Sequence, residues 1–212
     1  MILAEKLKSA VLATQAGAPS VIQYAVGSRA TNPSVTTMSG LTNGNLLVLT
    51  GAMSGTASWD NLNLASQGLT QQNSFTTETH PGVFVATRVI DGTEAASYSV
   101  TEAATSVLAL MEISGTFDVC GDSSRNGSDL TFDISGITVT NNNSLLFAIG
   151  AVSHDYALTM PSGMTEVFNN SGSGDPGLAV AYESVNSGAT GTRQISRPGT
   201  TAGIGGVMFA VY

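Results

Sequence analysis

The chain has 212 residues, and only 10% of them are charged, against about a quarter in an ordinary globular protein. Its formal charge is −8, with both lysines (Lys6 and Lys8) near the start and five isolated arginines elsewhere, so no basic cluster exists to displace counterions from nucleic-acid phosphates. The single cysteine, Cys120, rules out an intrachain disulfide and a cysteine-rich zinc site, and no run approaches the roughly 20 apolar residues needed to cross a bilayer.

Residues 1–17 read as a helical segment. Leu3, Leu7 and Val11 recur every four residues among good helix formers, and Gly17 and Pro19 supply the stop. Glu5, Lys6 and Lys8 interrupt the apolar core that a signal peptide requires. A short amphipathic helix lacks a core of its own. It packs on its own domain or docks onto a neighbour, and Leu3, Leu7 and Val11 are the candidate docking residues.

Residues 18–212 read as one β-sandwich domain. Strand windows fall at 21–27, 34–38, 45–52, 70–76, 82–90, 95–101, 104–114, 131–139, 144–153, 164–168, 178–185, 190–196 and 204–212. They are rich in Val, Ile, Thr, Phe and Tyr and bounded by Gly, Pro, Asn and Asp. Asp91-Gly92 predicts a tight hairpin, with Ser187-Gly188 in the equivalent place. Val107–Met111 and Leu145–Ile149 are nearly unbroken apolar runs and so predict central strands. Thr31–Thr37, polar and containing Pro33, suits an edge. The polar stretch Asp118–Asp129 predicts an exposed loop joining two halves, and Asn169–Pro176 a second loop.

Two halves are indicated by an echo. Asn45-Leu-Leu-Val-Leu-Thr-Gly-Ala-Met-Ser-Gly55 returns as Ser144-Leu-Leu-Phe-Ala-Ile-Gly-Ala-Val-Ser-His154, with five of eleven positions identical. Val83–Ile90 then parallels Leu178–Val185, Ala96–Thr101 parallels Gly191–Ser196, and Val107–Ile113 parallels Gly206–Tyr212. The period is far longer than the roughly 20–50 residues of solenoids and propellers. The expected fold is therefore a jelly-roll-like antiparallel β-sandwich with pseudo-symmetric halves and a short N-terminal helix.

Little in the sequence points to chemistry. His80 and His154 stand at loop or strand ends, His154 beside Asp155, without a Gly-x-Ser-x-Gly elbow. Asp118, Asp122, Asn126 and Asp129 share a loop but lack EF-hand spacing, so they read as solvated acids rather than calcium ligands. Gly203-Ile-Gly-Gly206 lacks the Lys-Ser or Lys-Thr of a phosphate loop. Trp59, Tyr98, Tyr156 and Tyr182 are the candidate stacking faces for a neutral glycan. No catalytic residue, cofactor or metal site is expected.

Four short motifs carry a resemblance: Gly44-Asn-Leu-Leu-Val48, Pro161-Ser-Gly-Met-Thr165, Gly188-Ala-Thr-Gly191 and Val207-Met-Phe-Ala-Val-Tyr212. Over about residues 20–212 the chain resembles the β-sandwich proteins found in tailed-bacteriophage virions. The resemblance implies a structural virion protein without catalytic residues. The first expectation is a capsid decoration or cement protein, located in the virion, homo-oligomeric and bound to other capsid or tail proteins. A tail-tip or tail-fibre host-contact protein and a carbohydrate-binding module are the alternatives.

Overall fold

The computed structural model describes residues 17–53, 63–73, 81–101, 105–127, 129–172, 174–199 and 202–212. The helix expected over residues 1–17, with Leu3, Leu7 and Val11, falls almost wholly outside the described residues, as do Trp59 and His80. Among the described residues the helical element is a 3-10 turn at Ala65–Gln67.

Strands form nearly everywhere else. The first half contributes β1 (Ser20–Val26), β2 (Ser34–Thr36), β3 (Leu46–Met53), β4 (Thr70–Gln71), β5 (Gly82–Val89), β6 (Ser97–Ser99) and β7 (Ser106–Ser114). The second contributes β8 (Phe117–Cys120), β9 (Ser124–Asn126), β10 (Thr131–Ile134), β11 (Thr138–Val139) and β12 (Ser144–Val152). It continues with β13 (Thr165–Asn169), β14 (Gly177–Val185), β15 (Gly188–Ala189), β16 (Arg193–Ser196) and β17 (Ile204–Val211). Residues 118–129, expected to be a loop, thus hold most of β8 and all of β9. Both pair with β17, whose ladder supplies the order that this polar sequence does not signal by itself.

Two large antiparallel sheets and three two-stranded ribbons result. Sheet one runs β1-β7-β3-β5-β4, and sheet two runs β13-β14-β12-β17-β8, with β9 also on β17. Each sheet is drawn from one half of the chain, so the sandwich expectation holds. Among the described residues no strand crosses from one large sheet to the other, so their strand order does not display jelly-roll connectivity. Hairpin closure at Asp91-Gly92 is likewise not observed. Gly92 does take a positive φ of 87°, but β5 and β6 do not pair; β6 leaves the sheet to pair with β2. In the second half β15 pairs with β11 and β16 with β10.

These departing strands explain the unbroken apolar runs. Antiparallel strands normally alternate, because one face meets water. Here the facing sides of the two sheets share one core, including Val48, Val85, Met111, Phe147, Val180 and Phe209. The outer side of sheet one is covered by the β2–β6 ribbon through Val35, Tyr98 and Val100. The outer side of sheet two is covered by β10–β16 and β11–β15 through Ile134, Val139 and Ile195. The architecture is therefore four layers around three cores. Every residue of β3 and β12 is buried, and each fully buried large aliphatic or aromatic side chain contributes about 1.5–3 kcal/mol. Phe147 and Phe209 stack at 4.6 Å across neighbouring strands at the centre.

Corresponding strands keep corresponding neighbours. Leu46 pairs with Val89 and Ile113, while Leu145 pairs with Ser184 and Val211. Aligning Leu46 with Leu145 therefore places Val89 on Ser184, as the sequence echo does. It places Ile113 on Val211, one residue away from the echo's alignment with Tyr212. The difference matters, since a slip of one residue in a strand exchanges its two faces. With the ladder's register, Met111 matches Phe209, both in the central core.

Candidate interaction surface

The same register exposes a pair of bulges. In β1, Val21 and Gln23 face Ile113 and Glu112, so Ile22 is the extra residue. In β8, Phe117 and Val119 face Val211 and Ala210, so Asp118 is the extra residue. The two bulges stand at matching places on matching strands, and bulges are position-specific features of a sheet.

Their side chains differ in kind. Asp118 accepts hydrogen bonds from Thr140 N at 2.9 Å and from Thr140 Oγ1, fixing the adjoining loop and placing a carboxylate on the strand edge. Ile22 is 50% exposed, and Tyr24 beyond it is 48% exposed. Exposed sheet edges are normally guarded by charge, proline or covering chain. Ser20–Val26 contains neither charge nor proline.

Beside this edge lies β13, the edge strand of sheet two. Between them opens a groove of about 440 Å³ lined by Val21, Ile22, Tyr24, Glu166, Val167 and Tyr182, among others. Tyr24 leans on Phe168 at a ring separation of 5.4 Å, and Tyr182 leans on Phe147 at 5.8 Å. Glu166 brings a carboxylate, which accepts a hydrogen bond from Asn169 Nδ2 at 3.0 Å. Gln23 also lines the groove, and its amide donates to Ser39 O at 3.2 Å and to Glu112 Oε2 at 2.7 Å. The groove thus combines apolar side chains and two phenol rings with the polar Gln23 and Thr165 and one carboxylate. Chemically it suits an amphipathic peptide with positive charge, or a sugar ring.

The residues singled out by sequence are not gathered there, Tyr182 excepted. Tyr98 is fully buried beneath the β2–β6 ribbon and offers no stacking face. Tyr156 is half-buried at another place, 6.3 Å from the His154 ring and 5.8 Å from the Arg197 guanidinium. His154 Nδ1 lies 3.3 Å from Ser153 Oγ, but that hydroxyl is buried and accepts a hydrogen bond from Gly203 N. Asp155 receives Gly174 N at 2.7 Å. Among the described residues, no three His, Cys, Asp or Glu side chains converge to hold a metal ion. Among them too, no helix is long and apolar enough to cross a membrane.

Sequence reasoning did not single out Ile22, Tyr24, Glu166 or Val167. A signal existed in the uncharged Ser20–Val26 window, but its place at a sheet edge depends on which strands pair. No protein-family model matches the chain, and no curated protein matches it.

Proposed function

We propose that the protein is a structural component of a tailed-bacteriophage virion, a capsid decoration protein that works by binding other protein. We propose further that its halves are pseudo-symmetric because they descend from one duplicated layer. The observation that carries the assembly reading is the unguarded β1 edge. Where β8 keeps Asp118 at its bulge, β1 presents Ile22 and then Tyr24 to solvent. The sparsely charged surface supports the same reading, since small neutral side chains lose little rotamer entropy on contact. Duplication is supported by the shared strand order and by the matched bulges.

Mass spectrometry of purified particles from the encoding phage or prophage tests this. Many copies per particle are expected for a decoration protein and few for a tail component; absence from particles refutes both. The Ile22→Asp protein, melting like the wild type, should no longer bind particles. Tyr24 and Tyr182 in the groove favour one second reading, a neutral glycan ligand. Saturable binding to a glycan array, abolished by Tyr24→Ala, would select it.

A further inference from the structure

The ladder between β1 and β7 fixes which backbone groups of β1 are left over. Opposed residues of an antiparallel pair exchange both main-chain hydrogen bonds or neither, in alternation. Gly27 N donates to Leu108 O at 2.9 Å, one step beyond the Val26–Ala109 pair. Gly27, Ala25 and Gln23 therefore bond to β7, while the N–H and C=O groups of Tyr24 and Val26 point out of the sheet. β1 ends its sheet, and among the described residues no further strand pairs with that side.

The sequence makes this edge complementary to itself. A second β1 laid antiparallel, with Tyr24 opposite Val26 of the second copy, joins all of these groups in four hydrogen bonds about a two-fold axis. The axis passes between two Ala25 residues, a non-hydrogen-bonded pair whose Cα atoms come within about 4.5 Å. Alanine is small enough for that approach. Gln23 falls opposite Gly27, which has no side chain to meet it. Tyr24 and Val26 share the face turned to the central core, since Val26 packs on that core and Tyr24 leans on Phe168. Each half-exposed Tyr24 ring then covers Val26 of the other copy, an aromatic and β-branched cross-strand pair of the stabilising kind.

Charge selects the same strand. The chain carries −8, so two copies repel over most of their surface. Ser20–Val26 brings no charge to such an encounter. β13, the other edge at the groove, carries Glu166, and pairing two copies there would bring two carboxylates together.

We propose that the protein forms a two-fold dimer in which β1 pairs antiparallel with β1 of a second copy, centred on Ala25. The inference rests on the reading of this edge as an assembly surface and names what fills it. The two five-stranded sheets become one continuous sheet of ten.

The interface is small for a specific contact, so sedimentation is measured on the full chain at about 100 µM. The wild type should sediment at twice the 21.5 kDa of one chain. Tyr24→Pro removes an outward N–H and no bond to β7, so it should keep the wild-type circular dichroism and weaken association by roughly tenfold or more. Ala25→Cys tests the register without disturbing the strand. Its two thiols should join under mild oxidation, because the expected Cα separation suits a disulfide, whereas Tyr24→Cys and the wild type should not crosslink. A monomeric wild type, a dimer indifferent to Tyr24→Pro, or an Ala25→Cys protein that does not crosslink would each overturn the proposal. A monomer that still decorates particles sinks the dimer alone, and a dimer absent from particles sinks the virion reading alone.

Discussion

Glu112 has no exposed surface, yet it sits two residues from the end of β7, directly after the apolar run Val107–Met111. Its carboxylate accepts hydrogen bonds from Gln23 Nε2 at 2.7 Å, Thr42 N at 2.9 Å and Asn45 Nδ2 at 2.6 Å. Burial by itself raises its pKa. The three donors outweigh burial, and the net result lies below the ordinary glutamate value. Through these bonds one side chain ties the β1 edge to the turn before β3. Glu112→Ala removes three charge-assisted bonds of about 1.5–3 kcal/mol each. Thr42 is exposed and Gln23 and Asn45 are only half-buried, so water replaces much of the loss. The expected net cost is about 2–3 kcal/mol, or about 4–12 °C in Tm for a chain of this size. The sign with pH follows from the lowered pKa. Stability from the carboxylate is complete above the unfolded-state value of about 4.3 and is lost as pH falls through the folded value. Urea unfolding at pH 7 and at pH 3 should therefore show a large gap between wild type and Glu112→Ala at pH 7 and a smaller one at pH 3. An alanine variant as stable as wild type at pH 7, or a gap unchanged at pH 3, would refute the reasoning. The matching residue in sheet two is Ala210, so the layer itself does not require an acid there.

Two glycines facing each other across β12 and β17 should respond differently to alanine. At Gly206 a Cβ would lie 2.5 Å from the backbone oxygen of Ile149 and 2.7 Å from Ile134 Cδ1, whereas at Gly150 its nearest neighbour is the tip of Ile195 at 3.2 Å. Thermal unfolding should show Gly206→Ala destabilised by about 3 kcal/mol and Gly150→Ala by under about 1 kcal/mol; equal losses would contradict the packing described. The Cys120 thiol is pushed up to about 12 by burial and, secondarily, by the Asp122 carboxylate. Alkylation at neutral pH should consequently run roughly a thousandfold slower than for free cysteine and recover on unfolding; a rate near the free value would refute the burial.

Much of the sandwich is legible in the sequence, because a strand buried on both faces must read as a continuous apolar run. Val107–Met111 and Leu145–Ile149 do so, and both lie in the interior of a sheet. Strands held by their partners rather than by composition are harder to read. Phe117–Cys120 and Ser124–Asn126 are polar enough to pass for loop, and the ladder of β17 gives them their form. Turn chemistry at Asp91-Gly92 is equally ambiguous. It specifies a reversal but not whether the next strand rejoins the same sheet or crosses to the outer ribbon. The groove was hidden for a related reason. Ile22 and Tyr24 lie more than 140 residues from Glu166 and Val167, and only the packing of two edges brings them together.

The division of the sheets between the halves bears on synthesis. A ribosome has delivered all of sheet one once Ser114 is out, but β17 lies inside sheet two and begins at Ile204, about 90 residues later. At typical elongation rates, the oily inner side of the first-made layer waits roughly 5–20 s for its lid. Holdase chaperones should therefore bind this nascent chain most strongly in that interval, while its own second half is still being translated.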